Sequence, residues 1–163
     1  MKKLIPVVAV LCGLLISGPA VADKKRSIDF TVRDLKGKYV RLSDFKDKVV
    51  EIAFWATFCK VCQKKLRYLN KWYKKYKGKG FVVLAVSVDG PQSQAKVKPI
   101  VRRYKLKYPV VIDKESRISR LFNPKRATPF SVILKKGKKV KVREGFQISD
   151  VKLMEQEIRD LLK

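Results

Sequence analysis

Two cysteines three positions apart, Cys59 and Cys62, carry the chemistry of this sequence. They lie in Trp55-Ala56-Thr57-Phe58-Cys59-Lys60-Val61-Cys62, after the apolar run Val49 to Phe54 and before an amphipathic helical pattern. A Cys-x-x-Cys between a strand and a helix is a context for thiol–disulfide exchange. Cys59 falls at the helix start, where unpaired N–H groups and the macrodipole favour a thiolate. Cys62 falls one turn in and shares a face with Leu66 and Leu69, which should shelter its sulfur. One activated thiol beside one sheltered thiol is the asymmetry that a nucleophile and a resolving group need. Lys60 adjoins Cys59 and should lower its pKa further.

Composition removes most competing chemistries. The chain has 163 residues and no histidine, which excludes Ser-His and Cys-His catalysis, histidine metal sites and histidine pH switching. A zinc site lacks third and fourth ligands, and a copper-delivery site lacks its histidine. We expect no cofactor and no metal. Peroxide chemistry of the peroxiredoxin type wants Pro-x-x-x-Thr/Ser-x-x-Cys, but Ile52 and Ala56 hold those positions.

Residues 1–22 read as a cleaved signal peptide. Lys2 and Lys3 form a basic start, Leu4 to Ile16 an apolar stretch, and Ala20-Val21-Ala22 a small-x-small cleavage site. The apolar run is shorter than the roughly 20 residues that span a bilayer. Cys12 is a poor lipid-attachment site, because Leu11 precedes it and the apolar run continues past it. Cleavage leaves a domain over 23–163 with Cys59 and Cys62 as its only cysteines and a net charge of +24. A disulfide between them would close the smallest useful loop and stabilise little, so exchange is a better reason for it than stapling.

The elements that must position the pair follow from periodicity. Phe30 to Arg33 and Tyr39 to Leu42 form a hairpin around Asp34-Leu35-Lys36-Gly37-Lys38, and Ser43-Asp44-Phe45 one helical turn. Val49 to Trp55 is a strand covered on both faces. The motif helix runs to about Lys77, with Cys62, Leu66, Leu69, Tyr73 and Tyr76 inward and Lys64, Lys65, Arg67, Lys71, Lys74 and Lys75 mostly on the surface. Phe81 to Val88 is the next strand. A helix spans about Ser93 to Tyr104, kinked or restarted at Pro99. Tyr108 to Ile112 is a strand, Ser116 to Phe122 a helix, and Pro129 to Leu134 pairs with Lys139 to Glu144. Ser149 caps a last helix with Leu153, Ile158, Leu161 and Leu162 toward the core. The result is an α/β sandwich with a mixed sheet.

This pattern resembles the thioredoxin fold, with an N-terminal β-hairpin and a helix-bearing insertion at about 89–122. More narrowly it is similar to the exported TlpA/ResA-type thioredoxin-like proteins over about 28–163. Phe54 to Cys62, Leu42-Ser43-Asp44-Phe45 and Ala127-Thr128-Pro129-Phe130 carry the resemblance. It implies a thiol-disulfide oxidoreductase with Cys59 as nucleophile, Cys62 as resolving cysteine and Pro129 as a cis-proline facing them. It also implies that the Thr128 backbone can pair with a bound polypeptide, with Trp55, Phe58, Lys60 and Val61 supporting the pair. The family favours a reductant recharged by an integral-membrane electron donor. Apocytochrome c haem-site cysteines are one substrate class it serves. The same chemistry run backward makes an oxidase or isomerase.

Three departures stand out. Phe58 replaces the usual tryptophan before the first cysteine, and Lys60-Val61 is neither Gly-Pro nor Glu-Pro. Thioredoxins have a buried acid where this chain has Ala53. Glu51, two positions earlier on the same strand face, could serve as proton acceptor for Cys62; otherwise it is a partly solvated charge paired with lysine. Asp89 is the nearest acid by position to the family's insertion glutamate; otherwise it is turn chemistry in Asp-Gly-Pro.

Charge suggests partners. Lys60 to Val88 contains nine basic residues and no acid, and 135–143 contains six more. Such a surface suits acidic proteins, anionic headgroups or envelope polyanions, and a basic envelope binding protein is the different-class alternative. The export signal argues against nucleic acid. We expect a monomer.

Overall fold

The computed structural model describes residues 28–163. The signal segment 1–22, its cleavage site, Cys12 and the polar start Asp23 to Ser27 lie outside the described residues. Strands β1 (Thr31–Arg33) and β2 (Tyr39–Arg41) form an antiparallel hairpin. A five-stranded mixed sheet is built from β3 (Val49–Trp55), β4 (Phe81–Ser87), β5 (Val110–Ile112), β6 (Phe130–Lys135) and β7 (Lys138–Glu144), in the order β5-β4-β3-β6-β7. Strand β3 is central, parallel to β4 and antiparallel to β6. The helices are α1 (Lys60–Tyr76), α2 (Val97–Arg103), α3 (Arg117–Phe122) and α4 (Val151–Leu161).

All seven residues of β3 are buried because both faces are covered. Alternation divides them. Val49, Ala53 and Trp55 join one apolar cluster with Leu66, Leu69, Trp72 and Tyr76 of α1 and Met154 and Ile158 of α4. Val50, Ile52 and Phe54 join the other, with Phe30, Val40, Leu42, Ile118 and Phe122. Helices α1 and α4 thus cover one face, and the hairpin and α3 the other. The β6–β7 turn needs left-handed backbone at both central residues, and Lys136 (φ 52°) and Gly137 (φ 71°) supply it.

Several expectations need correction. Lys65 is not on the surface: it is buried, at Cys62 plus three and Leu69 minus four, so spacing puts it on the inward stripe. Trp72, not Tyr73, fills the middle of that stripe; Tyr73 is half-buried, edge-on to Tyr108. In α4, Ile158 faces the core as expected, with Leu161 and Leu162 packed against it, but Leu153 is 57% exposed and Met154, four residues before Ile158, takes the inward position instead. Ser149 does not cap α4, because a 3-10 turn at Ile148–Asp150 precedes it and Asp150 takes the N-cap position. Pro99 neither breaks nor kinks α2. The α-helix starts at Val97 after a 3-10 turn, so Pro99 sits in the first turn, where backbone N–H groups have no helical partner.

Candidate active site

Strand β3 ends at Trp55, the chain turns through Ala56-Thr57-Phe58, and α1 begins at Lys60 with Cys59 as its N-cap. Cys59 is half-buried and Cys62 only 1% exposed. Cys59 and Cys62 form a disulfide, and the Cys62 backbone N–H donates to Cys59 Sγ at 3.1 Å. The helix therefore aims one of its free amides at the outer sulfur, as a thiolate there requires. The inner sulfur lies between α1 and β3. Phe58 is 76% exposed, and Lys60 and Val61 are exposed beside it, so the rim of the pair is apolar and cationic.

The turn before Cys59 is held from two sides. Asp89, buried just after β4, accepts from the Thr57 hydroxyl at 2.6 Å, the Thr57 N–H at 3.0 Å and the Ser87 hydroxyl at 2.7 Å. From α1, Gln63 Nε2 donates to the Thr57 carbonyl at 2.7 Å, and the Tyr104 hydroxyl donates to Gln63 Oε1 at 2.8 Å. Asp89 is thus the acceptor around which the turn is ordered, and its oxygens are committed to Thr57 and Ser87. Sequence reasoning missed Gln63, Tyr104 and Thr57. A polar residue on the inward side of α1 was the available signal for Gln63.

Across the sheet the Thr128–Pro129 peptide bond is cis, and Pro129 immediately precedes β6. Pro129 lines a narrow crevice with Ala53, Trp55, Cys62, Lys65 and Leu66, which puts it on the Cys62 side of the pair. The Trp55 indole N–H is buried without a hydrogen-bond partner among the described residues. Glu51 is buried on the same face of β3 as Ala53, not partly solvated, and its charge partner is Lys65. Ile52 and Ala56, the positions that peroxide chemistry would need as Pro and Thr, are both fully buried. Among the described residues, no group of three or more His, Cys, Asp or Glu could hold a metal, and no helix is long and apolar enough to cross a membrane.

A family model described as AhpC/TSA matches residues 24–150. A thiol-disulfide oxidoreductase ResA of Bacillus thuringiensis subsp. konkukian is 35% identical over 153 residues, covering 88% of this chain and 87% of that one. Among solved structures, a Chlorobium tepidum protein assigned as thiol:disulfide interchange protein DsbE superposes with a TM-score of 0.76 at 30% identity, covering 84% of this chain and 95% of that one. The exposed lipoprotein thioredoxin Etrx1 of Streptococcus pneumoniae gives 0.67 at 32% identity, over 82% of this chain and 99% of that one. With a mixed sheet of the thioredoxin kind and a Cys-x-x-Cys disulfide at the head of its first long helix, this chain belongs to the AhpC/TSA family of thioredoxin-like proteins and is a thiol-disulfide oxidoreductase.

Proposed function

We propose that the protein works outside the cytoplasm as a reductant of polypeptide disulfides, with residues 1–22 removed on export to the cell envelope or periplasm. Cys59 is the nucleophile. Its thiolate attacks one sulfur of a substrate disulfide, forms a mixed disulfide and expels the other substrate sulfur as a thiolate. Cys62 then attacks Cys59, closes the Cys59–Cys62 bond and releases the second substrate thiolate. An external dithiol, in the cell a membrane electron donor, restores the pair. One observation carries the assignment: the sulfur of the half-buried Cys59 accepts a helix-terminal N–H at 3.1 Å, while Cys62 is almost wholly buried.

Substrate meets the pair at Phe58, Lys60, Val61 and the Thr128–Pro129 edge. Phe58 and Val61 offer apolar contact, and the exposed lysines and arginines of α1 favour acidic polypeptides. The basic face also allows an approach to anionic lipid headgroups. Supplied with dithiol, the protein should reduce an insulin-like disulfide. It should act faster on an acidic disulfide peptide than on a basic one, and the difference should shrink as salt is raised. No reduction above the dithiol background would reject the function, and a charge preference that survives high salt would reject the electrostatic account of substrate choice.

A further inference from the structure

The segment that offers Thr128 to a substrate is held by a side chain remote in sequence from the cysteine pair. Asn123 closes α3, is 1% exposed and spends all its polar groups on backbone. Its N–H donates to the Ser119 carbonyl at 2.7 Å, and its carbonyl accepts from the Arg126 N–H at 2.8 Å. Its side chain pairs with both backbone groups of Ala127: Nδ2 donates to the carbonyl at 2.9 Å, and Oδ1 accepts from the N–H at 3.0 Å. A carboxamide carries a donor and an acceptor on one planar head, as a peptide group does, so here it stands in for a neighbouring strand. Aspartate would set an oxygen against the Ala127 carbonyl, and alanine would leave both groups without this partner.

Arg126 holds the same segment from another side. Its backbone is left-handed, with φ 53°. Its guanidinium donates to the Val88 carbonyl at 2.6 Å and to the Ser116 hydroxyl. The Val88 N–H in turn donates to the Trp55 carbonyl at 2.9 Å, at the end of β3. A planar fork can span two acceptors from different parts of the chain, whereas an ammonium is a single point of donation. Residues 124–127 are therefore tied to α3 through Asn123 and to the ends of β3 and β4 through Arg126.

What these ties leave open is one residue wide. Ala127 is paired at both backbone groups, Pro129 has no N–H, and the Pro129 carbonyl accepts from the Gly145 N–H at 2.8 Å. Between them, the N–H and carbonyl of half-buried Thr128 make no hydrogen bond among the described residues. A free backbone donor and acceptor on a partly exposed residue are what an added strand pairs with. We propose that Asn123 and Arg126 are positioning residues for the polypeptide substrate: they fix Ala127 so that Thr128 alone presents its backbone beside the cysteine pair. The inference rests on the reading of Thr128 as the substrate edge and deepens it. The hydrogen bonds of both side chains go to backbone and to Ser116, none to a cysteine, so their effect falls on polypeptide binding and not on exchange.

The test uses the reduced full chain and a short peptide whose cysteine carries nitrothiobenzoate as a mixed disulfide. Attack by the Cys59 thiolate breaks that disulfide, joins the peptide sulfur to Cys59 and releases the coloured thiolate. A second peptide is methylated on the backbone nitrogens beside its cysteine, which removes the donors of an added strand. The rate given by Cys59→Ser is subtracted throughout. For the wild-type protein, methylation should raise the half-saturating concentration about fivefold or more. Asn123→Ala should raise it about fivefold for the plain peptide and less than about twofold for the methylated one, with the maximal rate changed less than about twofold. Arg126→Lys keeps the charge of an exposed side chain; it should raise the concentration about threefold in the same pattern, and serves alone if Asn123→Ala does not fold. A loss of folded protein lowers the maximal rate and leaves half-saturation unmoved, so it does not imitate the result. A half-saturating concentration unmoved by a variant, or raised equally for the two peptides, overturns the role of that residue. A wild-type protein that does not distinguish the two peptides would instead overturn the pairing at Thr128.

Discussion

Cys59→Ser should reduce turnover on an insulin-like disulfide to the rate of the dithiol alone, and Cys62→Ser should accumulate mixed disulfides with its substrates. The two results differ because the two sulfurs sit in different surroundings. Cys59 is at the N-cap of α1, reachable from solvent and facing the Cys62 amide, so its loss removes the one accessible cysteine sulfur among the described residues that can start the exchange. Cys62 is enclosed by β3 and α1, so its loss leaves attack intact and removes the way out of the covalent intermediate. Non-reducing electrophoresis of envelope extracts reads the second result directly. If Cys62→Ser captures no polypeptide while Cys59 remains reactive, Cys62 is not the resolving group.

Asp89→Ala carries the second large effect, and it acts on the scaffold. The carboxylate accepts from three buried donors, the Thr57 N–H, the Thr57 hydroxyl and the Ser87 hydroxyl. Removing it leaves them unpaired, at about 1–3 kcal/mol each. Release of a buried charge offsets part of that loss. We expect a net destabilisation of about 3 kcal/mol by denaturant unfolding. Asp89→Asn keeps one carbonyl acceptor for Thr57 and should cost about 1 kcal/mol. Thr57 lies two residues before Cys59, so the alanine variant should also slow Cys59 alkylation. A stability unchanged by Asp89→Ala would mean that the turn is held by Gln63 and the helix alone.

Much of this arrangement is legible in the sequence. The run Val49 to Trp55 is apolar because the central strand has no solvent face, and its limits match β3 residue for residue. The Cys-x-x-Cys at the strand–helix junction marks the redox pair before any fold is known. What charge alone suggests is less secure. Lys65 lies on the inward stripe by spacing, but a lysine among lysines reads as solvated surface; only tertiary packing shows that its head meets Glu51 and Ser131. Glu51 illustrates the same point, since strand alternation gives its face but not its burial depth. Leu153 and Met154 differ by one residue and about 100° around α4; Met154 lies four residues before the inward Ile158, and the more apolar leucine beside it masks that spacing. The Thr57–Asp89 and Gln63–Tyr104 links join positions 32 and 41 residues apart, a separation that local pattern cannot bridge.

Direction of electron flow is the centre of the functional account, and it is a property of one bond. Related dithiols span about −270 to −120 mV, and their potentials follow from how strongly the reduced form is stabilised. The most direct test is the equilibrium potential of Cys59–Cys62 in the purified protein, set against a glutathione or dithiothreitol couple. A value near −250 mV or lower is predicted for a reductant of polypeptide disulfides. A value near −120 mV would contradict the account and make the protein a donor of disulfides.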